Sequence, residues 1–138
     1  MNILIVDDEF ANRRIMLEIL SPYGICHVAT DGEEAVAAFE TAWAEGKPYD
    51  VLCLDIKMPK MNGQEVLTKI RAIEEQKDIS IPAGVKIIMA TAMDDSKNIL
   101  GAFRSQCDAY VMKPVDKDGL LKAMKSLGIM FVGPSLCN

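Results

Sequence analysis

The stretch Val51-Leu52-Cys53-Leu54-Asp55 decides the fold, because it is an apolar run of strand length that ends on a carboxylate. A run without polar alternation is typical of a strand that is buried on both faces, as in a parallel sheet covered by helices. We therefore predict a central strand over residues 51–54, with Asp55 at its carboxyl end.

Four further runs have the length of strands: residues 3–6, 25–29, 85–90 and 109–112. All except the run at 25–29 are apolar almost throughout, so we expect these strands to be buried on both faces as well. His27 interrupts the remaining run, which indicates a strand near the edge of the sheet.

The segments between these runs carry apolar residues at helical spacing, which predicts helices that cover the sheet. A fifth, weaker helix is predicted over residues 94–104, where Gly101 interrupts the pattern. The four clear stripes are Ile15, Met16, Ile19 and Leu20; Val36, Phe39 and Trp43; Val66, Leu67, Ile70 and Ile73; and Leu120, Leu121, Met124 and Leu127.

Cap and turn residues separate these elements. Asp31, Asp94 and Asp116 suit helix starts, because a carboxylate can accept hydrogen bonds from the unpaired backbone N–H groups there. The polar stretch over residues 74–84 contains Pro82 and Gly84, and we interpret it as a surface loop.

Five β-α units in succession predict an α/β fold. Right-handed crossovers leave helices on both faces of the sheet, so we expect a doubly wound, five-stranded parallel sheet with five helices in three α/β/α layers. The length of 138 residues suits a single domain with a buried core.

Composition excludes several classes of protein. The formal net charge is −5 and no basic run is present, which argues against direct nucleic-acid binding. No apolar run approaches the ~20 residues that span a bilayer, and the first residues do not form a signal peptide, so we expect no membrane association and a cytoplasmic location. The four cysteines are widely spaced and are expected to be reduced.

Polar side chains follow four of the predicted strands, at the sheet edge where ligands bind in folds of this kind. Three carboxylates brought together there repel one another unless protons or a cation compensate for their charge. Oxygen ligands favour a hard ion, and Mg²⁺ also leaves room for a phosphoryl oxygen. The side chains are Asp7, Asp8 and Glu9 after the first strand, Asp55 after the third, Thr91 after the fourth, and Lys113 with Pro114 after the fifth.

Asp55 is the best-placed nucleophile of this group. An aspartate can form an acyl phosphate, and the protein then has mainly to position the phosphoryl group and neutralise its charge. Asp55 stands alone at the end of the central strand, whereas Asp7 and Asp8 are paired as metal ligands would be. The Lys113 amine and the Thr91 hydroxyl are suited to contact the phosphoryl oxygens.

Four segments of the sequence resemble the signature of bacterial two-component response-regulator receiver domains. They occur in the order and spacing of that family, and the resemblance covers residues 2 to about 127. The segments are Val6-Asp7-Asp8-Glu9, Asp55-Ile56-Lys57-Met58-Pro59-Lys60-Met61-Asn62-Gly63, Ala90-Thr91-Ala92 and Tyr110-Val111-Met112-Lys113-Pro114.

The resemblance implies a flavodoxin-like strand order, 2-1-3-4-5, and a role for each site residue. Asp55 would be the phosphoacceptor, and Lys113 and Thr91 would contact the phosphoryl group. Asp7 and Asp8 would hold Mg²⁺ together with Asp55 and the backbone carbonyl of Lys57. Tyr110 would be the aromatic switch residue, turning inward as Thr91 moves, and the Lys113-Pro114 peptide bond would be cis.

The resemblance also implies partners. A histidine kinase or a phosphotransfer domain would donate to Asp55, and a downstream effector protein would respond in trans, as in stand-alone receivers of chemotaxis or phosphorelay type. Such domains often form homodimers. We expect the receiver domain to occupy residues 1–127, followed by an apolar C-terminal tail at 128–138 that packs on the domain, contacts a partner or frays.

Two rival classes stay open at this point. A Mg²⁺-dependent phosphohydrolase with an aspartyl-phosphate intermediate would place its nucleophile after the first strand in a D-x-D arrangement, where this chain has Asp7-Asp8-Glu9. A flavin-binding electron carrier would need glycines and hydroxyls at the same place. We predict a signalling switch that is not an enzyme beyond its own phosphorylation and dephosphorylation.

Overall fold

Strands and helices alternate along the described chain. A computed structural model describes residues 1–56, 58, 61–79, 84–91 and 108–128 of the protein; the helix predicted at 94–104 and the tail from residue 129 lie outside them. None of the helices in these ranges is long and apolar enough to span a membrane. The elements are β1 (Asn2–Val6), α1 (Phe10–Leu20), a 3-10 turn (Ser21–Tyr23), β2 (Ile25–Ala29), α2 (Gly32–Ala44), β3 (Val51–Asp55), α3 (Gly63–Gln76), β4 (Lys86–Thr91), β5 (Ala109–Met112) and α4 (Lys117–Ser126).

The five strands form one parallel sheet in the order β2-β1-β3-β4-β5, which confirms the predicted topology. The three inner strands are almost completely buried, as their apolar sequences predict. His27 lies on the edge strand β2, also as predicted. The prediction of burial on both faces is wrong for β5, because β5 is the other edge strand: Tyr110 is 40% and Met112 38% exposed.

Apolar cores lie on both faces of the sheet. Along β1, Leu4 belongs to the core that contains Phe39 of α2, and the neighbouring residue Ile3 belongs to the core that contains Met16 of α1 and Leu120 of α4. Successive side chains of a strand point to opposite faces, so a run that is apolar throughout supplies both cores at once. The two cores hold the helices and the sheet in three layers.

Carboxylates cap two of the helices as predicted. The Asp31 side chain accepts a hydrogen bond from the Glu34 backbone N–H at 2.9 Å, and Asp116 accepts one from Gly119 at 2.7 Å. Each contact satisfies a donor that the first turn of a helix leaves unpaired. Asp94 lies outside the described residues.

The interpretation of residues 74–84 as a surface loop is wrong at its first three residues, which belong to helix α3. Glu74 belongs to α3 and is only 2% exposed. Its carboxylate accepts hydrogen bonds from Arg71 Nη1 and from the Val85 backbone N–H, both at 2.7 Å. These contacts compensate for the burial of its charge, which the polarity of the sequence alone does not reveal.

Helix α3 begins directly behind the end of β3. The Gly63 backbone N–H donates to the Ile56 carbonyl at 2.8 Å. A Cβ atom at Gly63 would contact the Asp55 carbonyl oxygen and come within 2.8 Å of the Ile56 Cα. Only glycine therefore allows α3 to start this close to Asp55.

Replacing Gly63 with alanine should destabilise the protein by about 3 kcal/mol, the upper end of the cost of overpacking, because backbone atoms cannot easily move away. Gly46→Ala is the matched control: Gly46 has φ +74° and open space around it, so its cost should be only about 1 kcal/mol. Urea unfolding measures both values. A loss for Gly63→Ala no larger than that for Gly46→Ala would contradict the packing described here.

Candidate functional site

Three carboxylates meet at the carboxyl ends of the central strands. Asp7, Asp8 and Asp55 each offer a carboxylate oxygen, and these oxygens all lie within 4.8 Å of one another. Asp7 and Asp55 are buried, at 0% and 2% exposure, while Asp8 is exposed. The cluster therefore has a buried floor and one carboxylate open to solvent.

The sheet register brings these groups together. Val6 of β1 pairs with Leu54 of β3, so the residues that follow them, Asp7 and Asp55, emerge side by side. Asp7 Oδ1 accepts a hydrogen bond from the Glu9 backbone N–H at 2.9 Å, which fixes the orientation of that carboxylate. The juxtaposition is thus a direct result of two adjacent parallel strands.

Lys113, the residue directly after edge strand β5, supplies a positive charge to the cluster. Its Nζ lies 2.6 Å from Asp55 Oδ1 and 3.7 Å from Asp7 Oδ2. Its backbone N–H donates to the Thr91 carbonyl at 2.8 Å, which anchors the residue where β5 ends. The peptide bond between Lys113 and Pro114 is cis, as predicted.

Burial and charge set the protonation of this ion pair. Burial raises the pKa of Asp55 from 3.8 to about 6; the negative charges of Asp7 and Asp8 act in the same direction, and Lys113 opposes them. Burial alone would lower the pKa of Lys113, but its hydrogen bond to Asp55 and the surrounding negative charges outweigh burial and raise it. At neutral pH, Asp55 is therefore ionised yet more basic than an ordinary carboxylate.

The cluster fits a divalent cation. Asp7 Oδ2 and Asp55 Oδ2 are buried, and no described residue donates a hydrogen bond to either oxygen. Two such acceptors beside a third carboxylate carry more negative charge than one lysine neutralises. Oxygen ligands of this kind suit a hard ion such as Mg²⁺, which takes one or two carboxylates and retains water. These three residues could hold a metal ion.

Of the other predicted site residues, Thr91 and Tyr110 lie within the described part of the chain and Lys57 does not. Thr91 is buried, and it follows Ala90, which pairs with Asp55 in the sheet register. Tyr110 lies on β5 with its side chain partly exposed. Lys57, whose backbone carbonyl was a predicted metal ligand, lies outside the described residues.

Sequence analysis missed one residue next to the site. Arg13 of α1 donates from Nη1 to the Asp7 backbone carbonyl at 3.0 Å, and its guanidinium lies 5.8 Å from the centre of the Phe10 ring. These contacts tie the first turn of α1 to the end of β1. The sequence signal for this role was an arginine shortly after the acidic pair Asp7-Asp8. An exposed surface arginine gives the same sequence pattern, so the signal did not distinguish the two.

Comparison with known proteins agrees with this geometry. The family model of the response regulator receiver domain matches residues 3–125. The chemotaxis protein CheY of Listeria monocytogenes is 33% identical over 127 residues, which cover 91% of this chain and 96% of the Listeria protein. Other curated relatives are longer: the chain spans 7%, 39% and 47% of the length of three of them.

Solved structures show the same fold. A chain in the CheX-CheY-BeF3-Mg²⁺ complex from Borrelia burgdorferi matches with a TM-score of 0.77 and 26% identity, covering 94% of this chain and 90% of that one. A chain in the complex of the Saccharomyces cerevisiae phosphotransfer protein Ypd1 with the receiver domain of Ssk1 matches with a TM-score of 0.75 and 30% identity, at the same coverage. With its acidic triad and its 2-1-3-4-5 sheet, the chain belongs to the response regulator receiver domain family, a family of phosphorylation-dependent signalling switches.

Proposed function

We propose that Asp55 accepts a phosphoryl group from a histidine kinase or a phosphotransfer protein in a Mg²⁺-dependent reaction, and that the phosphorylated protein signals to a partner in trans. One observation carries this proposal: a buried carboxylate at the end of the central strand lies 2.6 Å from a lysine amine and beside two further carboxylates. The arrangement combines a nucleophile with groups that can neutralise a transferred phosphoryl group.

Asp55 is better suited to attack than its neighbours. Lys113 holds Oδ1 of Asp55, while Oδ2 accepts no hydrogen bond from the described residues. Its pKa of about 6 makes it a stronger base than an ordinary carboxylate, yet leaves it ionised at neutral pH. In the transfer, a phosphorus–oxygen bond to Asp55 forms as the phosphorus–nitrogen bond of the donor breaks, and the donor nitrogen keeps the electron pair.

The lysine and the metal ligands have separate tasks in this proposal. Lys113 Nζ lies close to both buried carboxylates, and a phosphoryl group on Asp55 would be attached beside it. The amine could then move its hydrogen bond from Asp55 to a phosphoryl oxygen. Asp7 and Asp8 would hold Mg²⁺ with Asp55 and the Lys57 backbone carbonyl. When bound, the ion supplies positive charge that offsets the charge of the phosphoryl group.

The response would involve Thr91 and Tyr110. Thr91 ends β4 and Tyr110 lies on the adjacent strand β5, so a movement at the site can reach the exposed edge of the sheet. In the proposal, the Thr91 hydroxyl donates to the phosphoryl group and the partly exposed Tyr110 side chain turns inward. That change would alter the surface that a partner protein contacts.

Likeness to known complexes supports protein partners. The Ypd1 and CheX complexes contain chains of the same fold. By analogy, a phosphotransfer protein or a histidine kinase would donate to this chain and an effector protein would bind it, with homodimerisation as a further option. The net charge of −5 favours protein partners over nucleic acid, and we propose a cytoplasmic location for the switch. We also propose that residues 1–127 form the receiver and 128–138 a tail.

Family membership favours the switch over the phosphohydrolase and the flavin carrier. Multiple-turnover release of phosphate from added monoesters would instead favour the phosphohydrolase. A coloured purified protein would favour the flavin carrier.

Incubation with a small acyl phosphate and Mg²⁺ should add one phosphoryl group to the protein, as measured by the mass of the intact chain. Asp55→Asn should abolish the addition, because an amide is not a nucleophile of this kind. Asp50→Asn is the matched control: Asp50 precedes the same strand and its exposed side chain accepts from the Asn2 backbone, so that variant should still be modified. Normal modification of Asp55→Asn would contradict the assignment.

Magnesium affinity should depend on Asp8 and on pH. Asp8→Ala should weaken binding by at least about tenfold, since even residues that only support metal ligands typically contribute that much. The pKa of Asp55 lies near 6, so a proton competes with the ion at lower pH, and the affinity should fall about tenfold for each pH unit below that value. Calorimetry measures both effects.

Lys113→Ala is the matched control for the metal. The variant removes a positive charge that competes with Mg²⁺, which favours binding. It also raises the pKa of Asp55 further, which disfavours binding, so the affinity for Mg²⁺ should stay largely unchanged. An Asp8→Ala protein that binds Mg²⁺ as tightly as the wild type would remove Asp8 from the proposed ligands.

A further inference from the structure

A buried ion cluster lies at the end of the sheet opposite the acidic site. It consists of Arg71 and Glu74 of α3 and of Asp108, the residue before β5, and we call it the Arg71 clamp. The Arg71 side chain is 6% exposed and the Glu74 side chain 2%. Charges this well buried are costly unless each is paired and hydrogen-bonded, so their contacts define what the cluster holds together.

The clamp joins α3 to the beginnings of β4 and β5. Arg71 Nη2 donates to Asp108 Oδ2 at 2.9 Å, and Arg71 Nη1 donates to the Val85 carbonyl at 2.9 Å. The same Asp108 oxygen accepts the Ile87 backbone N–H at 2.8 Å, and the Asp108 backbone N–H donates to the Ile87 carbonyl at 2.9 Å. Asp108 therefore fastens the first residue of β5 to the start of β4.

Strand β5 is short and is held at both ends. Only four residues, Ala109–Met112, separate Asp108 from Lys113. At the far end, the Lys113 backbone N–H bonds to the Thr91 carbonyl and its Nζ bonds to Asp55. A slip of one residue along β4 would move Lys113 by about 3.3 Å, which is more than a hydrogen bond tolerates.

Helix α3 contacts both the acidic site and the Arg71 clamp. It starts at Gly63, packed against the backbone of Asp55, and it carries Arg71 about 12 Å further along its axis at 1.5 Å per residue. The strand that carries the acceptor and the strand that carries the lysine are thus both fastened to the same helix.

We propose that Arg71 and Asp108 are positioning residues that set the register of β5 on β4 and thereby hold the Lys113 amine at Asp55. The inference rests on the proposed function of Asp55 and Lys113. The hydrogen bonds of the clamp given above run to Val85, to Ile87 of β4 and to Asp108 before β5, so we expect it to act on the lysine and to leave the carboxylates of Asp7, Asp8 and Asp55 in place.

Asp108→Ala tests the proposal, because it removes the acceptor for both Arg71 and the Ile87 backbone. The rate of phosphorylation by a small acyl phosphate at saturating Mg²⁺ should fall about tenfold or more, as misplaced catalytic groups typically cause. The affinity for Mg²⁺ should stay within about twofold of the wild type, a difference smaller than the tenfold effect of losing one supporting residue. Asp108→Asn retains an oxygen that can accept a hydrogen bond from the Ile87 backbone N–H. Its phosphorylation rate should therefore lie between the rates of the wild type and of Asp108→Ala.

A double variant distinguishes positioning from general loss of stability. If Asp108 acts through Lys113, adding Asp108→Ala to Lys113→Ala should produce no further loss of rate, because residues that act as a unit are not additive. Phe39→Leu is the stability control: it weakens the core at α2, which packs on β1, β2 and α3, and should leave the rate unchanged while the protein is folded.

The outcomes separate this inference from the function on which it rests. Unimpaired phosphorylation of Lys113→Ala would remove the lysine from the proposed function itself. A slow Lys113→Ala with a normal Asp108→Ala would overturn only the positioning role. Losses that multiply in the double variant, or an equal loss in Phe39→Leu, would also overturn it, since they indicate an effect that does not pass through Lys113.

Discussion

The contact between Lys113 and Asp55 is the interaction on which the site depends. It joins the end of an edge strand to the end of the central strand, at 2.6 Å, inside a cluster with an excess of negative charge. One amine cannot neutralise three carboxylates, and this imbalance makes the cluster receptive to a cation. Burial, with a smaller contribution from the charges of Asp7 and Asp8, raises the pKa of Asp55 and makes it unusually basic.

The fold makes this imbalance tolerable. Two apolar cores on opposite faces of the sheet fix β1 and β3 side by side, so Asp7 and Asp55 cannot move apart to relieve their repulsion. Helix α3 starts against the backbone of Asp55 at Gly63. The free energy gained by burying the apolar strands therefore offsets the repulsion between the carboxylates. The same charges would move apart on a flexible loop.

Apolar runs predicted the strands, and strand-end carboxylates predicted the gathering of the acidic residues, because both are local patterns. The strand order came from the resemblance to receiver domains. The sequence did not predict the exposure of Tyr110, which depends on β5 lying at the sheet edge. It also placed Glu74 in a surface loop, since its compensating partner, Arg71, is recognisable only once α3 packs against β4. The periodicity of apolar residues in a sequence does not predict which charged residues pair once distant elements pack together.

The titration of the Asp55 side-chain carboxyl, followed by carbon NMR, tests this account most directly. In the metal-free protein the midpoint should lie at a pH of about 6, well above the ordinary value of 3.8, and Mg²⁺ should shift it to lower pH by competing with the proton. A midpoint near the ordinary value that does not respond to Mg²⁺ would show that Asp55 does not lie in a buried acidic cluster, and would contradict the account.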